Sequence, residues 1–591
     1  MISARLRGDL GLAFLLAALV VTVALYAATL GRGLVNYDDP WLVRDNLLLH
    51  DLSWSAIEKV FFDFQSPLSR TGAEYLPVRD LSIMLDFAIW GDRYAGFHVT
   101  NLVIYLLSIG VWFAGLTKLG IDRKVAGVAV LLWAIHPSHA ESVAWISERK
   151  GLLSMLFAGA CVLGYAHYRG GRRAGWLVLA ALAAVLAVWS KATGAFAVAA
   201  LVPLEWVLPA TVSRRRRVIG LVAIGAAAVA AFIPVVMMAT QAAVVGASGH
   251  AASRLETVLG VHGFYLRATA MTMKNAVSYA FTIDGPSVAD LALGAFGLVA
   301  VLALAIVPRR GRWAPPVEAR AGAWLWLLGW LPASHAILPL QQMSVADRYL
   351  LLPTLGATLI VAAGVVRISR VSTRRALIGA LVIAAGLRTL DAQSSWRDAA
   401  TLWERAIASN PADPNAWALY VEAAVEQRGL TLAQAEALVA EAQRAAPSAQ
   451  LIHRHALLVL PIDRARGLAL MRRAAEEGEP LAMSNLALLL LEDRAFDDAL
   501  AWARRGAAAR PGERHVWRTL GKVALAAGHA DEALPAFAQA LVIEPSCTNH
   551  FNIALALVAL QRGAEAIPHL DPCVEDARVG PRARALRASI H

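Results

Sequence analysis

Apolar runs long enough, or nearly long enough, to cross a bilayer fill the first two thirds of the chain, at residues 10–30, 97–117, 125–145, 151–168, 174–189, 194–209, 218–239, 288–307, 321–340, 348–366 and 375–390. Several are short or broken by proline or charge, so the pattern predicts about eleven spans, with an error of one or two. Beyond residue 390 the pattern changes to Ala-rich segments laced with Glu and Arg at helical spacing.

Within that second region, "HVWRTLGKVALAAGHADEALPAFAQALVIEP" carries the tetratricopeptide spacing at Trp517, Leu520, Gly521, Ala533, Phe537, Ala540 and Pro545. One repeat period earlier lie Leu486, Ala499 and Pro511, and a separate phase gives Ala399, Trp403, Ala406 and Pro411, then Trp417 and Ala433. The stretch 445–480 is irregular and the end from Phe551 is degenerate. Such units cannot bury their faces singly, so the pattern predicts a stacked solenoid of about four or five hairpins. The expected fold is all-α: a polytopic membrane domain over residues 1–390 and a repeat domain over 391–591.

Charge sets the topology. Arg5 and Arg7; Lys118, Arg123 and Lys124; Arg169, Arg172 and Arg173; Arg214 to Arg217; Arg309, Arg310 and Arg312; and Arg367, Arg370, Arg374 and Arg375 fall in alternate loops, which the positive-inside rule assigns to the cytoplasm. The connections 31–96, 136–150, 190–193, 240–287 and 341–347, with everything after residue 390, then lie outside. The first run is read as a retained signal anchor, because its core exceeds the usual signal-peptide length. The expected protein is a multi-pass inner (plasma) membrane protein with its repeats in the periplasm or an equivalent space.

Composition agrees: 58% of the 591 residues are hydrophobic and 17% charged, and mean hydropathy is +0.53. The net charge of +11 is read as topology rather than as a nucleic-acid footprint, because the basic residues sit in short loops between spans. Cys161, Cys547 and Cys573 make neither a disulfide framework nor a spaced zinc site. Cys547 and Cys573 could meet only in an oxidising compartment, and their pairing is not expected.

Candidate chemistry gathers at the outer ends of the spans. In "NYDDPW", Asp38 and Asp39 follow the first span, where a carboxylate at the bilayer edge is solvated, paired or functional. Pro40 disfavours helical backbone at Asp39, so the two side chains are expected on opposite sides of an extended segment: one a general base, the other a support; which is which stays open, with a lean towards Asp39, whose geometry Pro40 fixes. In "HPSHAESVAWISERKG" stand His136, His139, Glu141, Glu148, Arg149 and Lys150. His-x-x-His with one nearby carboxylate is too few ligands for zinc, and a polar cap is the better reading. Arg348 of "SVADRYLLLP" and Lys191 of "WSKATG" are cations at outer mouths, against the topological trend, and could hold a lipid phosphate or snorkel to headgroups. Leu81, Met84, Leu85, Ala88 and Ile89, beside Arg79, predict an amphipathic helix in the interface.

Together, Asp38-Asp39, "FHVTNL", "HPSHAESVAWISERKGLLS", "DRYLLLP" and the repeats resemble the transmembrane and tetratricopeptide-repeat O-mannosyltransferases and their bacterial relatives, of the GT-C glycosyltransferase class. The resemblance implies transfer of a sugar from a polyprenyl-phosphate donor to a hydroxyl acceptor, a protein Ser or Thr or a glycan, presented by the repeats on the non-cytoplasmic face. It implies an essential acidic residue at Asp38 or Asp39, and site roles for His136, His139, Glu141, Arg149, Arg348 and Tyr349, with His98 and Asn101 in the second motif. Lys150 joins the basic residues expected at the departing phosphate. Ala192 departs from the family, whose members often carry an acidic residue or proline after the lysine. No nucleotide-binding glycine loop is present, and no cofactor is required, although Asp38 and Asp39 could take a divalent cation. The rival readings are a noncatalytic membrane scaffold and a transporter; the second would place its charges near the bilayer midplane.

Overall fold

The computed structural model describes residues 9–63, 74–209, 213–241, 254–281, 285–307, 314–337, 345–544, 546–576 and 579–590. The described residues are helices and turns without strands. Two compact units result: one of Met1–Phe62 and Glu74–Asn410, the other containing Pro411–His591.

In the first unit, seven helices among the described residues are long and apolar enough to cross a membrane, from Leu10–Gly31 to Val371–Ser394. The expected eleven spans are not all reproduced, and proline accounts for three of the differences. A proline has no N–H and clashes with the preceding turn. Pro137 ends the run 125–145 as the helix Arg123–Ala134; Pro203 stands in the second of two short helices, Gly194–Ala199 and Leu201–Val207; Pro332 closes Val317–Trp330. The core is tied by indole donors: Trp112 Nε1 donates to the Met155 carbonyl at 2.9 Å and Trp133 Nε1 to that of Leu351 at 2.7 Å.

The basic loops meet at one end of this unit. Arg123 pairs with Asp9 at 2.7 Å, and Arg169 donates to the carbonyls of Leu119 and Pro209 and pairs with Glu205, which Arg217 also reaches. Arg5 and Arg7, and Arg309, Arg310 and Arg312, lie outside the described residues.

One local expectation is overturned. Asp39 has helical backbone, with φ −59° and ψ −38°, because the chain winds into a tight turn at Pro40–Arg44 rather than running extended. The expected helix forms as Pro77–Trp90: Leu85 and Ile89 are exposed, whereas Arg79, Asp80 and Asp86 are buried beside Ile83, Met84 and Phe87. The buried charges are satisfied by ion pairs, Arg79 with Asp80 at 2.6 Å and Asp86 with Arg149 at 2.5 Å.

The helix Val371–Ser394 runs through residue 390, and Ala399–Ser409, which carries the first repeat-like phase, packs with the membrane unit. There Trp403 Nε1 donates to Asn36 Oδ1 at 2.6 Å and Arg405 pairs with Asp391 at 2.7 Å.

The second unit is a run of helical hairpins from Pro414–Arg428 to Gly563–Leu570, closed by Gly580–Ala588. The stretch that looked irregular forms the hairpin of Ala449–Val459 and Arg464–Glu476. A recurrent tie holds the turns: Trp417 donates to the Pro411 carbonyl and Trp517 to that of Pro511, each at 2.8 Å. Pro545 lies outside the described residues. Gly521 permits the close helix approach, since a Cβ there would lie 2.5 Å from the Phe537 ring. Gly521→Ala is therefore expected to cost about 1–3 kcal/mol by overpacking, seen as faster limited proteolysis of the solenoid than in wild type. Cys547 and Cys573, not expected to pair, are joined as a disulfide with Cα atoms 5.3 Å apart.

Candidate active site

The loop after Arg123–Ala134 is fixed by buried polar groups. His136 Nε2 faces the Thr269 carbonyl at 3.0 Å, which makes this nitrogen the protonated one, so Nδ1 accepts from Ser138 Oγ at 2.8 Å. His139 lies between Tyr105 OH at 2.6 Å and Thr354 Oγ1 at 2.8 Å. Both nitrogens of each ring are thus engaged, and among the described residues no group of three His, Cys, Asp or Glu side chains could hold a metal ion. Asn101 Nδ2 donates to the carbonyls of Val143 and Trp145, and its Oδ1 accepts from Arg149 Nε at 2.7 Å. Arg149 also donates to the carbonyls of Ser82 and Phe97 and pairs with Asp86. It is fully buried.

Arg149 is therefore not brought to the outer charge cluster. Its donors hold the loop, as does Asn101. Arg79 is likewise turned inward onto Asp80, and His98 reaches the Gly33 carbonyl at 3.4 Å, beside the first outer loop.

What converges instead is a group of paired charges. Glu141 accepts from Arg348 Nη1 at 2.5 Å and from its backbone N–H at 3.0 Å. Glu148, buried, pairs with Lys191, and Lys150 pairs with Glu74 at 2.5 Å. Tyr349 stands between two cations: its ring centroid is 5.3 Å from the Arg348 guanidinium and 5.5 Å from Lys191 Nζ. Lys191, Arg348 and Tyr349 line one crevice with Ser154, Met155 and Leu351. The lining combines two cations with apolar side chains, among them Met155, Leu351 and Leu352. Gly151 also lines it, and a Cβ there would come within 2.7 Å of Glu148 Oε1, so the glycine of "ERKG" lets the helix start against the buried carboxylate.

The two aspartates part ways. Asp39 is buried; its Oδ1 accepts from Ser147 N–H at 3.1 Å and Ser147 Oγ at 2.5 Å, and its Oδ2 from Val35 N–H at 3.2 Å. Burial pushes its carboxyl up to about 6, against the pull of these hydrogen bonds. Asp38 is half-buried and accepts a long bond, 3.4 Å, from Trp41 Nε1. Burial raises its pKa, and the positive charges of Lys150 and Arg348 pull it back. Tyr37, next to it, stacks on Trp145 with centroids 4.8 Å apart.

Asp39 thus ties the loop after the first span to the loop at Ser147, whereas Asp38 takes no part in those bonds and feels the positive charges of Lys150 and Arg348. Asp39→Asn puts an amide N–H₂ against the Val35 N–H. It is expected to lower the melting temperature in detergent and transfer activity together, whereas Asp38→Asn leaves the melting temperature unchanged. Equal melting of the two variants would contradict this division.

Ser147, Glu74, Trp145 and Tyr37 are the additions of the structure to the candidate set, and Glu148, already a candidate, gains Lys191 as its partner. Ser147 and Glu148 lie inside "WISERKG", yet only the fold reveals that one serves Asp39 and the other Lys191.

The fold and this site define a polytopic helical membrane protein with a tetratricopeptide solenoid and a charge-paired crevice. No family model matches the chain. The human protein O-mannosyl-transferase TMTC3 is 32% identical over 155 residues, covering 25% of this chain and 16% of that protein. The human protein O-mannosyl-transferase TMTC2 is 30% identical over 182 residues, covering 29% of this chain and 21% of that protein. The matched part is thus about a fifth or less of each relative's length, and the resemblance expected from the motifs extends to named O-mannosyltransferases over that part. Among solved structures, the apo oligosaccharyltransferase of Archaeoglobus fulgidus aligns with 71% of this chain and 58% of its own, at 15% identity and a TM-score of 0.38.

Proposed function

We propose that this protein is a membrane glycosyltransferase that moves a sugar from a polyprenyl-phosphate donor to a hydroxyl acceptor, a protein Ser or Thr, on the non-cytoplasmic face. The observation that carries the reading is the placement of Asp38: a half-buried carboxylate not engaged by the loop scaffold, in the field of Arg348 and Lys150. Asp38 takes the proton of the acceptor hydroxyl as its oxygen attacks the anomeric carbon, with inversion, and the sugar–phosphate bond breaks. Arg348 and Lys191 hold the departing lipid phosphate in the crevice, while its apolar lining residues, Met155, Leu351 and Leu352, take the start of the lipid chain. Glu141 and Glu148 orient those two cations. The repeats present the acceptor.

The outward assignment is supported by the basic ends clustering opposite this loop set and by the Cys547–Cys573 disulfide, a bond favoured in oxidising compartments. Asp38 and Asp39 do not fit a shared divalent cation, because Asp39 spends both oxygens on Ser147 and Val35; no step is routed through a metal.

The test is transfer from a panel of polyprenyl-phosphate sugars to Ser/Thr peptides by the purified protein in liposomes. A combined Glu148→Gln and Lys191→Gln variant removes the cation without leaving a buried charge, and is expected to raise the donor KM about tenfold or more. No transfer from any lipid-phosphate donor by the wild type would overturn the function. An unchanged donor KM in the variant would overturn the role of Lys191.

A further inference from the structure

The last hairpin of the solenoid gathers four side chains of metal-binding type. Cys547 opens the helix Cys547–Ala559 and His550 follows one turn later on the same side. His569 stands in the last turn of Gly563–Leu570, and Cys573 ends the short turn Asp571–Cys573. In sequence the order is Cys547-Thr548-Asn549-His550, then His569-Leu570-Asp571-Pro572-Cys573. The cysteines alone are two ligands; the histidines complete a set of four, with the short ligand spacings that zinc sites use.

The fold brings the two halves together. The Cys547 and Cys573 Cα atoms are 5.3 Å apart with their sulfurs bonded. The Nδ1 atoms of His550 and His569 face each other at 2.9 Å, with ring centroids 5.2 Å apart. Two imidazole nitrogens on one tetrahedral zinc ion stand about 3.3 Å apart, from bonds of roughly 2.0–2.1 Å. The pair is thus within a few tenths of an ångström of that separation. Cys547, His550 and His569 are partly exposed, so an ion has a way in. With the sulfurs joined, no metal-holding trio exists among the described residues.

We propose that this hairpin is a redox-gated site for a thiophilic divalent metal ion, zinc by ligand type, held by Cys547, His550, His569 and Cys573 when the disulfide is reduced. A dithiol reductant passes two electrons and two protons to the sulfur–sulfur bond and is itself oxidised to a disulfide. The bond breaks to two thiols; the metal then binds both sulfurs as thiolates, releasing two protons, and both imidazoles in neutral form. In the reverse direction an external disulfide takes two electrons from the two thiolates and two protons from solvent, leaving as two thiols, while the Cys547–Cys573 bond re-forms and the ion is expelled. A covalent or a metal staple therefore secures the end of the solenoid in either redox state. No residue is shared with the proposed transferase site, so either reading can fail alone.

Cobalt(II) added to the full chain in detergent tests this directly. After reduction and anaerobic removal of the reductant, the wild type is expected to bind a single cobalt ion with tetrahedral d–d bands and thiolate-to-cobalt charge transfer, both lost when zinc is added. The oxidised protein is expected to show neither. The double variant His550→Ala, His569→Ala is expected to lose the tetrahedral spectrum when reduced, while its intact disulfide in the oxidised form reports a folded hairpin. A reduced wild type without tetrahedral bands, or a reduced double-histidine variant that binds cobalt as tightly as wild type, would overturn the site.

Discussion

Asp38→Asn is expected to lower kcat by about 10²- to 10⁴-fold, the span typical for loss of a positioned general base. Donor KM and melting temperature stay near wild type. The reasoning is geometric. Asp38 is half-buried and accepts a long bond from Trp41, so the amide replaces it without orphaning a buried donor. It removes only the capacity to take a proton. The pH profile gives a second reading: burial holds the Asp38 pKa above its ordinary value although Lys150 and Arg348 draw it down. The base acts ionised, so wild-type kcat falls as pH is lowered through that raised pKa, at a higher pH than for an ordinary aspartate. Full transfer activity in Asp38→Asn would end the assignment.

The division between Asp38 and Asp39 shows where sequence reasoning reaches its limit. Adjacent carboxylates before a proline mark a special loop, and their division into one chemical and one supporting residue follows from backbone direction alone. Which is which does not. The preference for Asp39 rested on an extended residue before Pro40, but the chain turns helically there, and the partners that occupy Asp39 come from Ser147, far along the chain. Hydrophobic period was legible for the long spans and for the repeat around Trp517, because a lipid-facing or stacked helix repeats its burial locally. The helix Pro77–Trp90 was legible as a helix, but not that Arg79, Asp80 and Asp86 would be buried among Ile83, Met84 and Phe87, because their partners are fixed only by the fold. Glu141 and Arg348 were each legible as candidates, but their pairing with one another comes from the fold, since they stand 207 residues apart in sequence.

Arg149 separates a scaffold role from a clamp role most sharply. Its guanidinium pairs with Asp86 at 2.5 Å and donates to Asn101 and to the Ser82 and Phe97 carbonyls; Asp86 in turn accepts from Thr100 Oγ1 at 2.6 Å. Both side chains are buried, so truncating one strands the other charge. Arg149→Met is expected to cost about 3–5 kcal/mol, the range for breaking a buried ion pair from one side. It is measured as lost monodisperse protein after graded heating in detergent. Arg149→Met combined with Asp86→Leu removes both charges and is expected to recover much of that loss, because a buried pair replaced by apolar groups is often near neutral. A phosphate clamp predicts a different pattern: Arg149→Met would keep its melting temperature and raise the donor KM, and the second substitution would rescue nothing. The distinction matters for the site, since the helix Arg149–Arg169 starts at this residue and carries Gly151 against Glu148. Arg149→Met protein is therefore expected to lose activity in proportion to its loss of folded enzyme, with the donor KM of the folded fraction unchanged.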